Sequence, residues 1–225
     1  HFNTNHHTVI LKDCQPQLLE KIVWHLDEPL ADGAVVPTYL LAKLAKETVT
    51  VVLSGEGSDE TLGGYPYYYY EKLINYYSLL PRYLKKTALP AILPALDTLF
   101  SSDIFKNVAA YGKGEVQQSM LRWRILFNEE EIGALFKQEI RESLRIGKTK
   151  ERFKEIFEDC QAENIIDKAL YLDSKTYLPE DLLMKIDKLT MAHSLEARCP
   201  YLDHDLIEFI ATLPVGMKVK GAVGK

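Results

Sequence analysis

VVLSGEGSDE, residues Val51–Glu60, reads as a buried strand that runs into a glycine-broken loop and then a helix. The strand spans Val49–Leu53, where β-branched side chains favour an extended backbone. Gly55 and Gly57 permit positive φ and let a ligand come close to the main chain. The C-terminal edge of a parallel sheet is where α/β folds bind ligands, and such a junction commonly holds a phosphate. Here the helix opens with Asp59 and Glu60, and Glu56 adds a third carboxylate. Acids in a first turn suit the macrodipole, so Asp59 and Glu60 also have an ordinary reading as helix-start residues. Three carboxylates at one strand end nonetheless invite a cation. A phosphate bound there would need Mg²⁺ to bridge it to an oxygen ligand such as Asp59. The loop lacks the Gly-Lys-Ser/Thr of a P-loop, which excludes that motif.

Upstream, His7–Leu11 is a short strand candidate, and Pro16 opens a helix to about Leu26 with Leu18, Leu19, Ile22, Val23 and Leu26 on one face. The segment DEPLADGAVVP, Asp27–Pro37, is a loop dense in turn residues and carboxylates, and Pro37 starts a second helix to about Glu47. Strand, helix, loop, helix and strand in this order indicate a parallel α/β unit. After Gly64 the periodicity becomes helical throughout: near 67–79, 82–100, 115–127, 129–137, 150–160, 163–177, 179–194 and 204–213. Asn128 and Asp203 are N-cap candidates. The fold class is therefore α/β, a piece of a parallel-sheet domain with a large all-helical portion. Two strands make a poor sheet by themselves. That, with a start at His1 and an end at Gly224-Lys225, leads us to expect a partial domain over 1–225 with further strands before it.

A net charge of −5 gives no basic surface for nucleic acid. No apolar run is long enough to span a membrane, and these 225 residues contain no charged-then-apolar signal segment. Cys14, Cys160 and Cys199 are odd in number and far apart, which fits a reducing cytoplasm better than a disulfide framework. His6, His7, His25, His193 and His204 have no persuasive metal-ligand spacing.

LSGEGSDETLGGY (Leu53–Tyr65) resembles the second signature of the glutamine-dependent, type B asparagine synthetase family. HLDEPLADGAVVPTYLLAKLAKE (His25–Glu47) and LPEDLLMKIDKLTMAHSLEARCPYLDHDLIEFIATLP (Leu178–Pro214) resemble two further blocks of its synthetase domain, in the family's order. The resemblance implies an adenine nucleotide α-hydrolase-like fold and a ligase of amino-acid biosynthesis. It implies adenylation of the aspartate side chain with ATP and Mg²⁺, then displacement of AMP by ammonia. The ammonia comes from glutamine in a separate N-terminal glutaminase domain, and a homodimer is compatible with the family. Carried over, Ser54, Gly55, Glu56 and Gly57 line the nucleotide, Asp59 holds Mg²⁺ with the pyrophosphate, and Glu56 beside the acyl-adenylate takes a proton from ammonia. The family's Ser-Gly-Gly-x-Asp-Ser loop and its N-terminal cysteine do not occur in these 225 residues, so the piece alone is expected to be inactive. Relatives that adenylate a different carboxylate, such as β-lactam synthetases or peptide and polysaccharide amidating enzymes, share these blocks. A non-catalytic module of the same fold is a further alternative.

The third block carries two lysines. Met184, Lys188, Met191 and Leu195 fall on one helical stripe, which predicts a partly desolvated Lys188; Lys185 follows Asp181 at i+4 as an exposed pair. A lysine over apolar surface is also commonly just a snorkelling one. The resemblance favours Lys188 as the cation that stabilises the adenylation step, with Lys185 in reserve. Tyr67–Tyr70, Tyr76 and Tyr77 suit helix packing more than adenine stacking. Glu196 and Arg198 read as family-block residues or as an ion pair. Asp27, Glu28 and Asp32 read as cleft acids or solvated turn acids.

Overall fold

The computed structural model describes residues 4–8, 10, 16–87, 89–100, 108, 127, 129–143 and 148–219. Val51–Leu53 forms β1, two residues shorter than its β-branched run. It pairs in parallel with β2, Glu196–Arg198, in the register Val51↔Glu196, Val52↔Ala197, Leu53↔Arg198. The parallel sheet is thus real, but its partner strand, Glu-Ala-Arg, carries no β-branched residue and no sequence signal. Among the described residues the sheet has these two strands. Alternate side chains of a strand point to opposite faces, so Val51 and Leu53 share one face, and Leu53 is 74% exposed there. This corrects the reading of β1 as a buried strand. His7, Thr8 and Ile10 adopt no strand, whereas Val9 and Leu11 lie outside the described residues.

The chain divides into two compact units, one drawn from 1–57 and 176–207 and the other from 58–175 and 208–225. In the first, α1 (Pro16–Leu26) and α2 (Val35–Lys46) pack with the helix Met184–Met191. Ile22 and Leu26 of α1, Val35 and Tyr39 of α2, and Leu189 form its buried cluster, with Leu18 and Leu30 against it. Leu18, Ile22 and Leu26 recur at i, i+4 and i+8, the spacing of one helical face; Leu19, expected on that face, is exposed. Each fully buried aliphatic side chain here contributes about 1.5–3 kcal/mol by leaving water. α2 begins two residues before Pro37, which its first turn tolerates because those N–H groups have no intrahelical acceptor. The Asp32 carboxylate accepts the Ala34 N–H at 2.8 Å, turning the chain into that helix.

In the second unit, α3 (Ser58–Leu62) leads to α4 (Pro66–Leu79), which starts on its proline, one residue before the periodic stretch 67–79. Tyr68 of α4 packs with Ile156 and Phe157 of the helix Lys148–Asp159 and with Ile166, Ala169, Leu170 and Leu172 of Ile165–Lys175. Ile74 and Tyr77 form a further cluster with Leu93 and Val108. The tyrosine run is therefore largely a packing surface: Tyr68 is wholly buried, and its hydroxyl and that of Tyr67 donate to Asp173 at 2.6 and 2.9 Å.

Several expected helices are subdivided. The periodic stretch 82–100 forms Arg82–Lys86 and Leu89–Phe100, and Gln138–Ser143 is an additional short helix after Glu129–Leu135. The segment 115–127 lies outside the described residues except Phe127, and Asn128 lies outside them too. Asp203 caps His204–Thr212, accepting the Leu206 N–H at 3.1 Å. Among the described residues no helix is long and apolar enough to cross a membrane.

Candidate active site

At the C-terminal end of β1, the Ser54 N–H continues the ladder to the Arg198 carbonyl at 2.8 Å. The Ser54 hydroxyl then accepts the Glu56 N–H at 3.4 Å, starting the loop turn. Gly57 holds φ +89°, and a Cβ there would run into the Leu202 side chain. No other residue meets both demands, so Gly57 fixes the loop against the turn that follows β2. At Gly55 the position of a Cβ has no atom within 4 Å, so the backbone there faces open space. Glu56 is close enough to raise the Cys199 thiol pKa, after the larger effect of burial. Because the strands are parallel, Ser54, Glu56 and Cys199 gather at the same end of the sheet. Arg198 pairs with Glu196 at 2.8 Å, but both side chains are more than half exposed, so the pair contributes little to stability.

The division between the units falls between Gly57 and Ser58, so Asp59 belongs to the second. The Gly63 and Gly64 N–H groups donate to the Asp59 carbonyl at 2.9 and 3.0 Å. Its carboxylate lies where a Cβ on Gly64 would be, so only glycine leaves it that place. Asp59 is half-buried and Glu60 wholly so, which separates two acids that the sequence treats alike. The Tyr65 hydroxyl donates to Glu60. Burial nevertheless raises the Glu60 carboxyl pKa, with Asp59 and Asp173 adding to the rise against the tyrosine.

That shift has a stability consequence. The folded chain holds the Glu60 proton to a higher pH than the unfolded chain does, so stability falls as pH rises through the raised value. Glu60→Gln removes the ionisation, and its urea midpoint is expected to exceed that of the parent at pH 7 and to match it near pH 4. A parent advantage at pH 7 would show that Glu60 is stabilised as a carboxylate.

The lysine block departs from its sequence reading. It starts as a π-helix, Leu178–Leu183, and becomes α-helical over Met184–Met191. The buried stripe is Leu178, Leu182, Lys185 and Leu189, not the one through Met184 and Lys188. Lys185 is 4% exposed and ion-paired with Asp32, with Asp181 at 3.8 Å. Burial works to raise the Asp32 carboxyl pKa, but Lys185 and the Ala34 N–H together outweigh it and hold Asp32 below its usual range. Burial and the neighbouring Asp32 raise Asp181. Lys188 is the more accessible lysine: its ammonium donates to the Leu26 carbonyl at 2.6 Å and to Asp27 at 2.8 Å, with 30% of the side chain exposed. The i, i+4 pair of Asp181 and Lys185 exists, but inside the protein. Three leucines against two methionines were the signal for the deeper stripe.

Asp32 and Asp27 are thus the partners of the two lysines, at the two ends of the loop between α1 and α2. Spacing alone left them, with Glu28, as cleft acids or solvated turn acids. Asp203, His204 and Asp205 bring ligand atoms within 4.8 Å of one another, all at exposed side chains.

The model of the asparagine synthase family matches residues 1–225. The chain is 34% identical over 209 residues to asparagine synthetase [glutamine-hydrolyzing] 1 of Bacillus subtilis, covering 92% of the chain and 32% of that relative. It is 31% identical to a putative asparagine synthetase [glutamine-hydrolyzing] of Mycobacterium bovis, over 89% of the chain and 30% of the relative. A more distant likeness, 25% identity over 89% of the chain and 31% of the relative, is to amidase chyE of Penicillium rubens. The chain therefore spans about a third of the length of the curated relatives it matches. No solved structure matches it. With the family model matched from first residue to last, the chain belongs to the asparagine synthase family.

Proposed function

We propose that the full-length protein is an ATP-dependent, glutamine-using asparagine synthetase, and that this chain supplies part of its synthetase domain, of the adenine nucleotide α-hydrolase-like fold. The observation that carries the reading is the open loop Ser54–Gly57 at the C-terminal end of a parallel strand, in a chain of this family. The Gly55 backbone gives the nucleotide an uncrowded approach, and Ser54 offers a hydroxyl beside it. Glu56, at the same strand end, serves as the base that takes a proton as ammonia attacks the activated aspartate. Lys188 supplies positive charge to the phosphate and the developing oxyanion of the activation step. Lys185, buried between two carboxylates, is a scaffold residue in this reading, which leaves Lys188, favoured by the resemblance, as the cation without a reserve.

Mg²⁺ fits Asp59: a single half-buried carboxylate is a hard oxygen donor, and Mg²⁺ is commonly held by one or two carboxylates together with water and substrate phosphates. Bound there, the ion would neutralise phosphate charge. Asp59→Asn is expected to raise the Mg²⁺ concentration for half-maximal activity by about tenfold or more, as a charged ligand becomes neutral. Parent-like turnover at limiting Mg²⁺ would return Asp59 to a helix-start role. The function is tested by incubating the full-length protein with ATP, Mg²⁺, aspartate and glutamine. Asparagine with equimolar AMP and pyrophosphate is the expected product set; nucleotide turnover with another carboxylate but not aspartate would redirect the reading to a different amidating enzyme.

A further inference from the structure

Lys185 and Lys188 grip opposite ends of one loop in different ways. At Lys185–Asp32 the side chains are 5% and 20% exposed, whereas at Lys188–Asp27 they are 30% and 81% exposed. Lys188 also has an anchor independent of Asp27, the Leu26 carbonyl at 2.6 Å, and Leu26 is fixed in the core at 1% exposure. An ammonium has three N–H donors, and the Asp27 carboxylate takes one of them at the solvent side.

We propose that Asp27 is a placeholder anion, occupying at Lys188 the position that a phosphate oxygen of the nucleotide takes during activation. This rests on the reading of Lys188 as the cation that meets the reacting phosphate. An exposed carboxylate pair is weak and screened by salt, so exchanging it for a phosphate oxygen costs little. The Leu26 carbonyl keeps the ammonium in place while the exchange occurs. Asp32 cannot be exchanged in this way, since it is sequestered with Lys185. Asp27 therefore sets how readily the anion binds without itself being needed for the chemistry.

The test uses the full-length protein and pyrophosphate release with ATP and aspartate in a single turnover. Asp27 holds φ +66°, a conformation asparagine also tolerates, so Asp27→Asn removes charge without disturbing the backbone. It is expected to raise kcat/KM for ATP about two- to fivefold, the range into which an exposed ion pair converts, with an unchanged melting temperature. The gain should shrink at high salt and vanish in a Lys188→Ala background, where no cation remains to compete for. An unchanged or lower kcat/KM in Asp27→Asn overturns the placeholder and makes Asp27 at most an orienting residue. If Lys188→Ala alone leaves kcat/KM intact, the assignment of Lys188 fails first, an outcome told apart because it does not involve Asp27.

Discussion

Glu56→Gln in the full-length protein is expected to lower asparagine formation by about 10²–10⁴-fold, the usual contribution of a positioned general base. Pyrophosphate release with aspartate in a single turnover should fall far less, because the amide keeps the shape of the loop. The Glu56 N–H bond to Ser54 is made by backbone, and Gly57 is held against Leu202, so neither depends on the carboxylate. The separation of the two steps is the decisive measurement. Equal losses in pyrophosphate and asparagine would place Glu56 in activation or in loop structure. Undiminished asparagine formation would remove it from the chemistry altogether.

Lys185→Ala is expected to destabilise the protein by about 3–5 kcal/mol, the range for leaving a buried pair half empty. Asp32 and Asp181 keep 20% and 24% of their side-chain surface in water, which favours the lower part of that range. Denaturant unfolding of the parent and of Lys185→Ala gives the number. Lys185→Met combined with Asp32→Asn and Asp181→Asn should recover part of the loss, because no uncompensated charge then remains and the amide at position 32 keeps an acceptor for the Ala34 N–H. A loss below about 1 kcal/mol in the single variant would mean that water already solvates the lysine, as in an exposed pair.

The contrast between the two lysines shows where local sequence stops being informative. Both lie on one amphipathic helix, and two adjacent stripes compete for burial: Met184, Lys188 and Met191, or Leu178, Leu182, Lys185 and Leu189. Periodicity identifies the stripes but does not say which one faces the core. Asp32, 153 residues away and partly buried, provides the partner that lets Lys185 be the inward lysine. A buried ammonium needs carboxylate partners, and of the two beside Lys185, Asp181 is local at i+4 whereas Asp32 has no local trace.

By itself the sequence determined a strand over Val49–Leu53, of which Val51–Leu53 forms, the glycine-broken loop after it, α1 and α2 close to their observed bounds, and most of the helical remainder. These follow from short-range causes: β-branched runs, helical spacing, prolines in first turns and an Asp203 cap. The loop's blocks also gave the family. Only the tertiary structure decided that Glu-Ala-Arg at 196–198 pairs with β1, that Glu60 goes inside while Asp59 stays half-exposed, and which lysine is sequestered. A three-residue strand without β-branched residues is defined by its partner's hydrogen bonds rather than by its own propensity. The fate of an acid or a lysine is likewise set by the charges, phenols and carbonyls that distant segments bring to it.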